Sequence, residues 1–177
     1  MRAFIGMRVK PNEQLRKALS FLSKQEGVKA VEDENLHINL KFLGEIDKNQ
    51  AELIKKVLEK IRVPPFEVKV KGIGFFPSEE FIKVVFAEAE ASELIELNSF
   101  IEKELYSKGF MKENRDYVPH ITLARVKRRL SEEVVGELKK IGRGIDFSFE
   151  ASEVELIESV LTKEKPFYET IFKKQLK

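Results

Sequence analysis

Hydrophobic residues recur along this chain with two different spacings, one typical of strands and the other of helices. The stretch 66–71 alternates apolar and charged residues and predicts a half-buried strand, whereas the apolar residues of 15–22 lie three and four positions apart and predict an amphipathic helix. Over the whole chain, the pattern predicts helices at about 12–25, 47–61, 92–108 and 131–142. Strands are predicted at 2–9, 36–43, 66–71, 81–87, 118–125, 145–150, 153–160 and 167–174.

Residues at the predicted helix ends support these boundaries. Asp47 is followed three residues later by Gln50, the spacing of a capping box in which two side chains satisfy two free backbone amides. Serine is a favoured N-cap residue, and glycine often ends a helix. We therefore expect N-caps at Ser92 and Ser131, and helix ends at Gly27, Gly109 and Gly142.

The order of the predicted elements repeats. Each half of the chain runs strand, helix, strand, helix, strand, and "HINLKFL" followed by a helix and "FEVKV" corresponds to "HITLARV" followed by a helix and "FSFEA". This repetition indicates an internal duplication. Because no strict parallel strand–helix–strand series is present, we expect an α+β fold with antiparallel sheets. Residues 1–177 are predicted to form a single bilobal domain, in which two pseudo-symmetric lobes, each an antiparallel sheet packed with helices, surround a central cleft.

Composition narrows the class of protein. With 42% hydrophobic and 35% charged residues in 177 positions, the chain has the composition of a globular domain. The 32 basic and 30 acidic residues nearly cancel, so any affinity for nucleic acid must be local. The absence of cysteine excludes disulfides, thiolate nucleophiles and iron–sulfur clusters. The sequence shows no signal peptide and no membrane-length apolar stretch, so we expect a cytoplasmic protein without membrane contacts. It shows no convincing oligomer interface, so we expect a monomer.

The only two histidines of the chain open matching phrases, "HINL" at His37 and "HITL" at His120. Since side chains alternate between the faces of a strand, His37 is expected to share one face with Asn39 and Lys41, and His120 with Thr122. The aliphatic residues that alternate with these side chains are expected to point to the other face of the strand and to be buried. A lone histidine is usually a surface or satisfied core residue. Two in matching contexts favour a site built from two equivalent halves.

Two imidazoles facing each other across a cleft can divide the acid and base roles of a reaction, because histidine titrates near neutral pH. Asn39 and Thr122 can donate hydrogen bonds to an anion whose charge grows in the transition state. A phosphodiester meets both demands. The segment 72–74 (Gly-Ile-Gly) lacks the Lys-Ser/Thr of a phosphate-binding loop and predicts a strand irregularity instead. Two histidines with nearby acids are too few for an ordinary structural zinc site, so a metal centre is the weakest alternative.

Other residues have two interpretations each. Lys41 either neutralises phosphate or is a solvated lysine. A basic run after the second histidine phrase either contacts an RNA backbone or forms a solvated turn; it consists of Arg125, Lys127, Arg128 and Arg129. Three aromatic residues either stack on a terminal base or pack in the core, namely Tyr168, Phe75 and Phe76.

The phrases "HINLKFLGE", "HITLAR" and "SVLTKEKPFYE" resemble those of the two-histidine phosphoesterases, and within that superfamily the RNA 2′,3′-cyclic phosphodiesterase or 2′-5′ RNA ligase family. The resemblance implies hydrolysis of a terminal 2′,3′-cyclic phosphate of RNA to a 2′-phosphate without metal, nucleotide or other cofactor. It also implies reversible 2′-5′ joining of RNA ends, with tRNA fragments among the candidate partners. By the same likeness His37 is the proton donor, His120 the proton acceptor, and Thr122 and Arg125 contact phosphate.

Two positions depart from the family pattern. Asn39 stands where the family has threonine, and Lys165 stands where glycine precedes the proline of the last motif. An amide can still donate to a phosphate oxygen, but it is bulkier and has no hydroxyl. We therefore expect reduced or altered activity. The alternative is an RNA-end-binding module whose catalysis is impaired by Asn39.

Overall fold

The computed structural model describes residues 1–177 and contains four α-helices and nine β-strands. The helices are α1 (Glu13–Ser23), α2 (Lys48–Glu59), α3 (Ser92–Tyr106) and α4 (Glu132–Gly142). The strands are β1 (Arg2–Arg8), β2 (Val28–Ala30), β3 (His37–Glu45), β4 (Phe66–Pro77), β5 (Ile82–Glu90), β6 (His120–Val126), β7 (Asp146–Ala151), β8 (Glu153–Leu161) and β9 (Pro166–Gln175). A 3₁₀ turn, Asp33–Asn35, precedes β3.

The local sequence explains most helix boundaries. Asp47 and Gln50 form the predicted capping box at the start of α2, and Ser131 accepts a hydrogen bond from the amide of Val134 at the start of α4. The predicted cap at Ser92 is wrong, because Ala91 occupies the N-cap position and makes no side-chain cap. The Ser92 hydroxyl hydrogen-bonds the neighbouring glutamate instead. Helix α4 ends at Gly142, as predicted, and Arg143 follows as its C-cap.

The predicted irregularity in β4 is present. The pairing of β4 with β5 shifts register between Val70 and Ile73, and Gly72 has a φ of +83°. Residues other than glycine rarely adopt this left-handed conformation. The strand continues past the shift as far as Pro77, beyond the predicted end at 71, and so reaches the neighbourhood of the second histidine.

All strands join one antiparallel sheet in the order β7-β4-β5-β6-β3-β1-β8-β9, with β2 also paired to β6. This order is symmetric about the central pair, so β6 corresponds to β3, β5 to β1, β4 to β8, and β7 to β9. The predicted α+β class with antiparallel sheets is confirmed, and the sheet is curled. The symmetric order supports the internal duplication, which stays a prediction.

The strand equivalence inside the repeat differs from the sequence alignment. The segments "FEVKV" and "FSFEA", aligned as counterparts, lie in β4 and β7 and pair directly with each other, with Val68 opposite Phe149. The positional counterpart of β4 is β8, beside β1. The first half of the chain therefore contributes β4 to the part of the sheet that contains β5 and β6. The second half contributes β8 and β9 to the part that contains β1 and β3.

The helices cover one face of the sheet and enclose a hydrophobic cluster of 38 buried residues. Helix α1 packs against β2 and β6, α3 against β3, and α4 against β4, so that α1 and α3 cross to the opposite half of the sheet. In α1 the predicted apolar stripe is buried; it consists of Leu15, Ala18, Leu19 and Leu22. Burying each such leucine contributes roughly 1.5–3 kcal/mol. None of the helices combines the length and apolar character needed to cross a bilayer.

Matching bulges interrupt the two histidine strands. The pairing of β1 with β3 shifts register between Ile5 and Gly6, and the pairing of β5 with β6 shifts between Val85 and Phe86. A bulge adds one residue to one strand, so the side chains beyond it change faces relative to strict alternation. The shifts occur at equivalent places in the symmetric sheet. They therefore redirect the residues after each histidine phrase in the same way.

Candidate active site

The two histidine strands lie side by side at the centre of the sheet. Strands β3 and β6 are antiparallel, with Ile38 opposite Ile121, and both isoleucines are fully buried against the helix-covered core. This register sets His37 beside Thr122 and Asn39 beside His120, all four on the face away from the helices. The two histidines are diagonal neighbours, and such positions lie about 7–8 Å apart. The predicted four-residue constellation is thus brought together on one face.

Each imidazole is oriented by a backbone carbonyl two residues before it. Nδ1 of His37 lies 2.7 Å from the carbonyl oxygen of Asn35, and Nδ1 of His120 lies 2.7 Å from that of Val118. A carbonyl oxygen only accepts, so Nδ1 carries the proton and donates it in both rings. In the neutral ring Nε2 is then an unprotonated acceptor without a protein partner. Nε2 is therefore the atom of each histidine that is available for proton transfer.

Two aromatic rings flank each imidazole. His37 lies 4.6 Å from the ring of Phe4 and 5.4 Å from that of Tyr168, measured between centroids. His120 lies 5.0 Å from Phe76 and 5.3 Å from Phe86. Phe4 and Phe86 are buried but lie outside the main hydrophobic cluster. They lie on the same face of the sheet as the imidazoles, away from the helices, and exclude water from one side of each imidazole.

Glycines make room for these rings. A Cβ on Gly74 would collide with the ring of Phe86, and a Cβ on Gly6 would lie 2.9 Å from the carbonyl oxygen of Ile38 and 3.3 Å from the ring of Phe4. Both distances are shorter than ordinary van der Waals contacts. The absence of a side chain at these two positions therefore allows the phenylalanines to pack under the histidines.

Burial and positive charge both disfavour protonation of the histidines. Burial lowers the pKa of His37 to about 4, and the charges of Arg8, His120 and Arg125 act in the same direction. Burial also lowers the pKa of His120, with a further contribution from Arg125. Both rings are therefore neutral at neutral pH in the free protein. An anion bound between them would oppose both effects and raise both pKa values.

Arg125 lies at the centre of this charged environment. Its charge lowers the pKa of His37, of His120 and, against a larger effect of burial, of Tyr168. The guanidinium makes no ion pair or hydrogen bond within the protein, and the residue is exposed. No group of three or more His, Asp or Glu side chains is arranged to hold a metal ion. The face around the imidazoles is thus suited to an anion.

The remainder of the basic run lies past the end of β6, outside the histidine face. Arg128 forms an ion pair with Glu26, and its side chain covers Gly27. Lys127 and Arg129 are exposed and line a groove with residues of α4. Of the four basic residues, only Arg125 approaches the imidazoles.

Lys41 does not lie on the histidine face, so its predicted position is wrong. The bulge at Leu40 turns Lys41 into the interior, where it is 6% exposed, and turns Phe42 outward, where it is 49% exposed. Nζ of Lys41 donates to Oε1 of Glu102 at 2.6 Å and to the carbonyl oxygen of Met111 at 2.9 Å. The ammonium group is buried and paired with a carboxylate, which removes it from the candidate phosphate ligands.

Asn39 has an unusual environment. Its Oδ1 is buried without a hydrogen-bond partner, and its side-chain amide makes no hydrogen bond within the protein. The backbone carbonyl of Asn39 accepts a hydrogen bond of 2.8 Å from the hydroxyl of Tyr117, and burial raises the pKa of that hydroxyl. The backbone is therefore anchored while the amide remains available to a ligand.

The three candidate stacking residues separate. Phe75 packs against the hydrophobic core, which is the second of its two predicted interpretations. Phe76 lies beside His120, stacked 4.1 Å from Phe86, and Tyr168 lies beside His37. Adjacent β4 side chains point to opposite faces, which explains why only one of the two phenylalanines reaches the site.

Sequence reasoning missed Arg8, which joins four segments near His37. Arg8 lies opposite His37 in the pairing of β1 with β3. Its guanidinium donates to the carbonyl oxygens of Glu34 at 2.9 Å and Tyr168 at 3.0 Å, and Nε lies 3.6 Å from the buried carboxylate of Glu155. Nothing in the local sequence indicated this role, because all the partners are distant in the chain.

This chain is similar to phosphoesterases in sequence and in structure. The profile of the LigT-like phosphoesterase family matches residues 7–86 and residues 85–168. The RNA 2′,3′-cyclic phosphodiesterase of Methanocaldococcus jannaschii is 37% identical over 175 residues, covering 97% of this chain and 98% of that protein. The protein TT0787 of Thermus thermophilus superposes with a TM-score of 0.85 at 24% identity, covering 99% of this chain and 98% of that one. Escherichia coli LigT, solved with 3′-AMP, gives 0.80 at 23% identity, covering 99% and 97%.

Proposed function

Because this chain belongs to the LigT-like phosphoesterase family, as its motifs predicted, we propose that it is an RNA 2′,3′-cyclic phosphodiesterase with His37 and His120 as its acid–base pair. The observation that carries the proposal is the pairing of β3 with β6. It sets two imidazoles on one face, each with Nδ1 bound to a backbone carbonyl and Nε2 unoccupied. The name of the Methanocaldococcus relative supports the substrate class.

In the proposed reaction, water attacks the phosphorus of a terminal 2′,3′-cyclic phosphate. Nε2 of His120 accepts the proton of the water as the new P–O bond forms. The P–O3′ bond breaks, and Nε2–H of His37 donates its proton to O3′, which leaves a 3′-hydroxyl and a 2′-phosphate. In the reverse direction the two histidines exchange roles.

Three polar groups stabilise the negative charge that grows on the phosphate oxygens. Thr122 donates from its hydroxyl and Asn39 from its amide, one from each histidine strand. Arg125 supplies a full positive charge. The phosphate in turn raises the pKa of His37 and so allows it to hold the proton that it donates. The chain's own residues thus account for each proton and charge of the step.

The same arrangement would serve 2′-5′ joining of RNA ends. There the 5′-hydroxyl of a second RNA replaces water, and His120 accepts its proton. The P–O3′ bond breaks as before, and the product is a 2′-5′ phosphodiester. Hydrolysis is the main activity that we propose, because water is present in far greater concentration than any RNA end.

A short RNA ending in a 2′,3′-cyclic phosphate tests the proposal. We expect conversion to a 2′-phosphate with a free 3′-hydroxyl, at the same rate with and without EDTA. Phosphorus–proton NMR couplings of a dinucleotide product assign the phosphate to the 2′ or 3′ oxygen. A 3′-phosphate product would contradict the proposed bond cleavage. Tight binding of the RNA without turnover would instead support the RNA-end-binding module.

Asn39→Thr is expected to raise kcat/KM for the cyclic phosphate about fivefold, the equivalent of roughly 1 kcal/mol for one better-placed hydrogen bond. The exchange supplies a hydroxyl matching that of Thr122 and removes the buried unpaired Oδ1. Steady-state kinetics of both proteins measure the change. Thr122→Asn is the matched control, since it places the same amide in the other strand, and it is expected to lower kcat/KM. Equal kinetics for Asn39→Thr and the parent would show that this position does not contact phosphate.

A further inference from the structure

A second basic residue stands beside Arg125, on a strand that the sequence patterns did not predict. Strand β2 pairs antiparallel with β6, and Lys29 lies directly opposite Arg125. Residues directly opposite each other in an antiparallel pair project from the same face. Lys29 and Arg125 therefore extend from the face that carries His37 and His120.

The position of this pair relative to the histidines follows from the strand. Arg125 lies three residues beyond Thr122, which is the neighbour of His37, and three strand residues span about 10 Å. The charge of its guanidinium lowers the pKa values of both histidines. Lys29 lies on the far side of Arg125 from β5. Lys29 and Arg125 thus lie side by side, about 10 Å along the strands from the pair formed by His37 and Thr122.

Neither cation is neutralised. Arg125 has no ion pair, and Nζ of Lys29 donates only to the backbone carbonyl oxygen of Glu164, at 3.2 Å. Two acidic side chains of the β2–β3 connection, Glu32 and Glu34, lie 3.6 and 3.9 Å from Nζ of Lys165. The turn between β8 and β9 therefore holds Lys29 in place without cancelling its charge.

We propose that Lys29 binds the phosphate on the 5′ side of the terminal nucleotide, one nucleotide upstream of the cyclic phosphate that Arg125 contacts. This inference rests on the proposed function and deepens it by assigning Lys29 to the 5′-linked phosphate of the terminal nucleotide. The ammonium of Lys29 carries one positive charge, which matches the single negative charge of a phosphodiester, and it can donate hydrogen bonds to the phosphate oxygens. A nucleoside cyclic phosphate without a 5′-phosphate leaves Lys29 unused.

The experiment compares adenosine 2′,3′-cyclic phosphate with the dinucleotide ApA 2′,3′-cyclic phosphate in the parent and in Lys29→Gln. We expect the parent to prefer the dinucleotide about five- to tenfold in kcat/KM, which is the order of effect of one charge-assisted phosphate contact. Lys29→Gln is expected to lose this preference and to hydrolyse the mononucleotide at the parental rate. The preference of the parent should also weaken with added salt more steeply than that of the variant.

Lys60→Gln is the matched control, since Lys60 is an exposed lysine at the end of α2, and it should keep the preference. Equal kcat/KM for the two substrates in the parent, or an unchanged preference in Lys29→Gln, would overturn the inference. Calorimetric binding of adenosine 2′-phosphate and adenosine 2′,5′-bisphosphate reads the same contact without turnover. If neither cyclic phosphate is hydrolysed, the proposed function fails, whereas a bisphosphate preference that depends on Lys29 would still support the phosphate contact.

Discussion

Replacement of either histidine by alanine is expected to lower kcat for the cyclic phosphate by about 10²- to 10⁴-fold, the usual contribution of one general acid or base. Each imidazole presents Nε2 to the shared face while Nδ1 is held by a backbone carbonyl, so neither can substitute for the other. Steady-state hydrolysis of the dinucleotide cyclic phosphate measures the effect. The double variant His37→Ala/His120→Ala is expected to lose little more than either single variant, because the two groups act as a unit.

Replacing either histidine by asparagine distinguishes a loss of catalysis from a loss of folding stability. The amide nitrogen of asparagine can take the place of Nδ1 and donate to the carbonyl oxygen of Asn35 or Val118, but it cannot transfer a proton near neutral pH. His37→Asn and His120→Asn should therefore unfold at temperatures close to that of the parent while losing activity as the alanine variants do. If the single variants of His37 and those of His120 hydrolysed the cyclic phosphate at the parental rate, the two-histidine mechanism would be ruled out.

The largest expected effect on stability comes from the buried ion pair behind the site. Glu102→Ala leaves the ammonium of Lys41 inside the protein without its carboxylate, and breaking such a buried pair is expected to lower the free energy of unfolding by about 3–5 kcal/mol. The same carboxylate accepts a hydrogen bond of 3.1 Å from the amide of Glu113. Its loss therefore also loosens the segment that leads to Tyr117 and His120. Urea unfolding followed by circular dichroism measures the change.

Two further variants test the cause of this destabilisation. Glu96→Ala removes an exposed carboxylate from the same helix and should alter stability by no more than about 0.5 kcal/mol. Lys41→Met/Glu102→Leu removes both charges and should recover much of the loss, because no buried charge is left unpaired. If Glu102→Ala were as stable as the parent, the ion pair would have no structural role. If the double variant were less stable than the single one, the uncompensated charge would not be the cause.

Local chemistry accounts for the features that the sequence predicted. The capping box of α2 depends on two side chains and two amides within four residues, so Asp47 and Gln50 identify it without reference to the rest of the chain. The histidine phrases are equally local, because alternation along a strand puts His37 with Asn39 and His120 with Thr122. Together with "SVLTKEKPFYE", these phrases indicated the family that the comparisons show.

The alternation of side chains along a strand gave a wrong prediction where the pairing with a neighbouring strand contains a bulge. Lys41 was predicted on the histidine face, but a bulge in the pairing with β1 turned it inward to Glu102. Whether a strand contains a bulge depends on the register of its neighbour, and that register involves residues far away in the sequence. The same reason explains why Phe75 and Phe76 could not be distinguished from the pattern.

The sequence by itself determined the four helices and eight of the nine strands, the buried aliphatic stripes and the two short phrases whose histidines and hydrogen-bonding residues share a face. Those properties follow from the spacing of residues within one element. Only the tertiary structure decided that Arg8, Phe4 and Tyr168 surround His37. It also decided that Lys29 lies beside Arg125, and that β4 lies next to β5 in the sheet. These relations depend on which strands become neighbours. Many contacts of similar weak strength compete to set that order, and no single stretch of the chain carries enough of them to predict it.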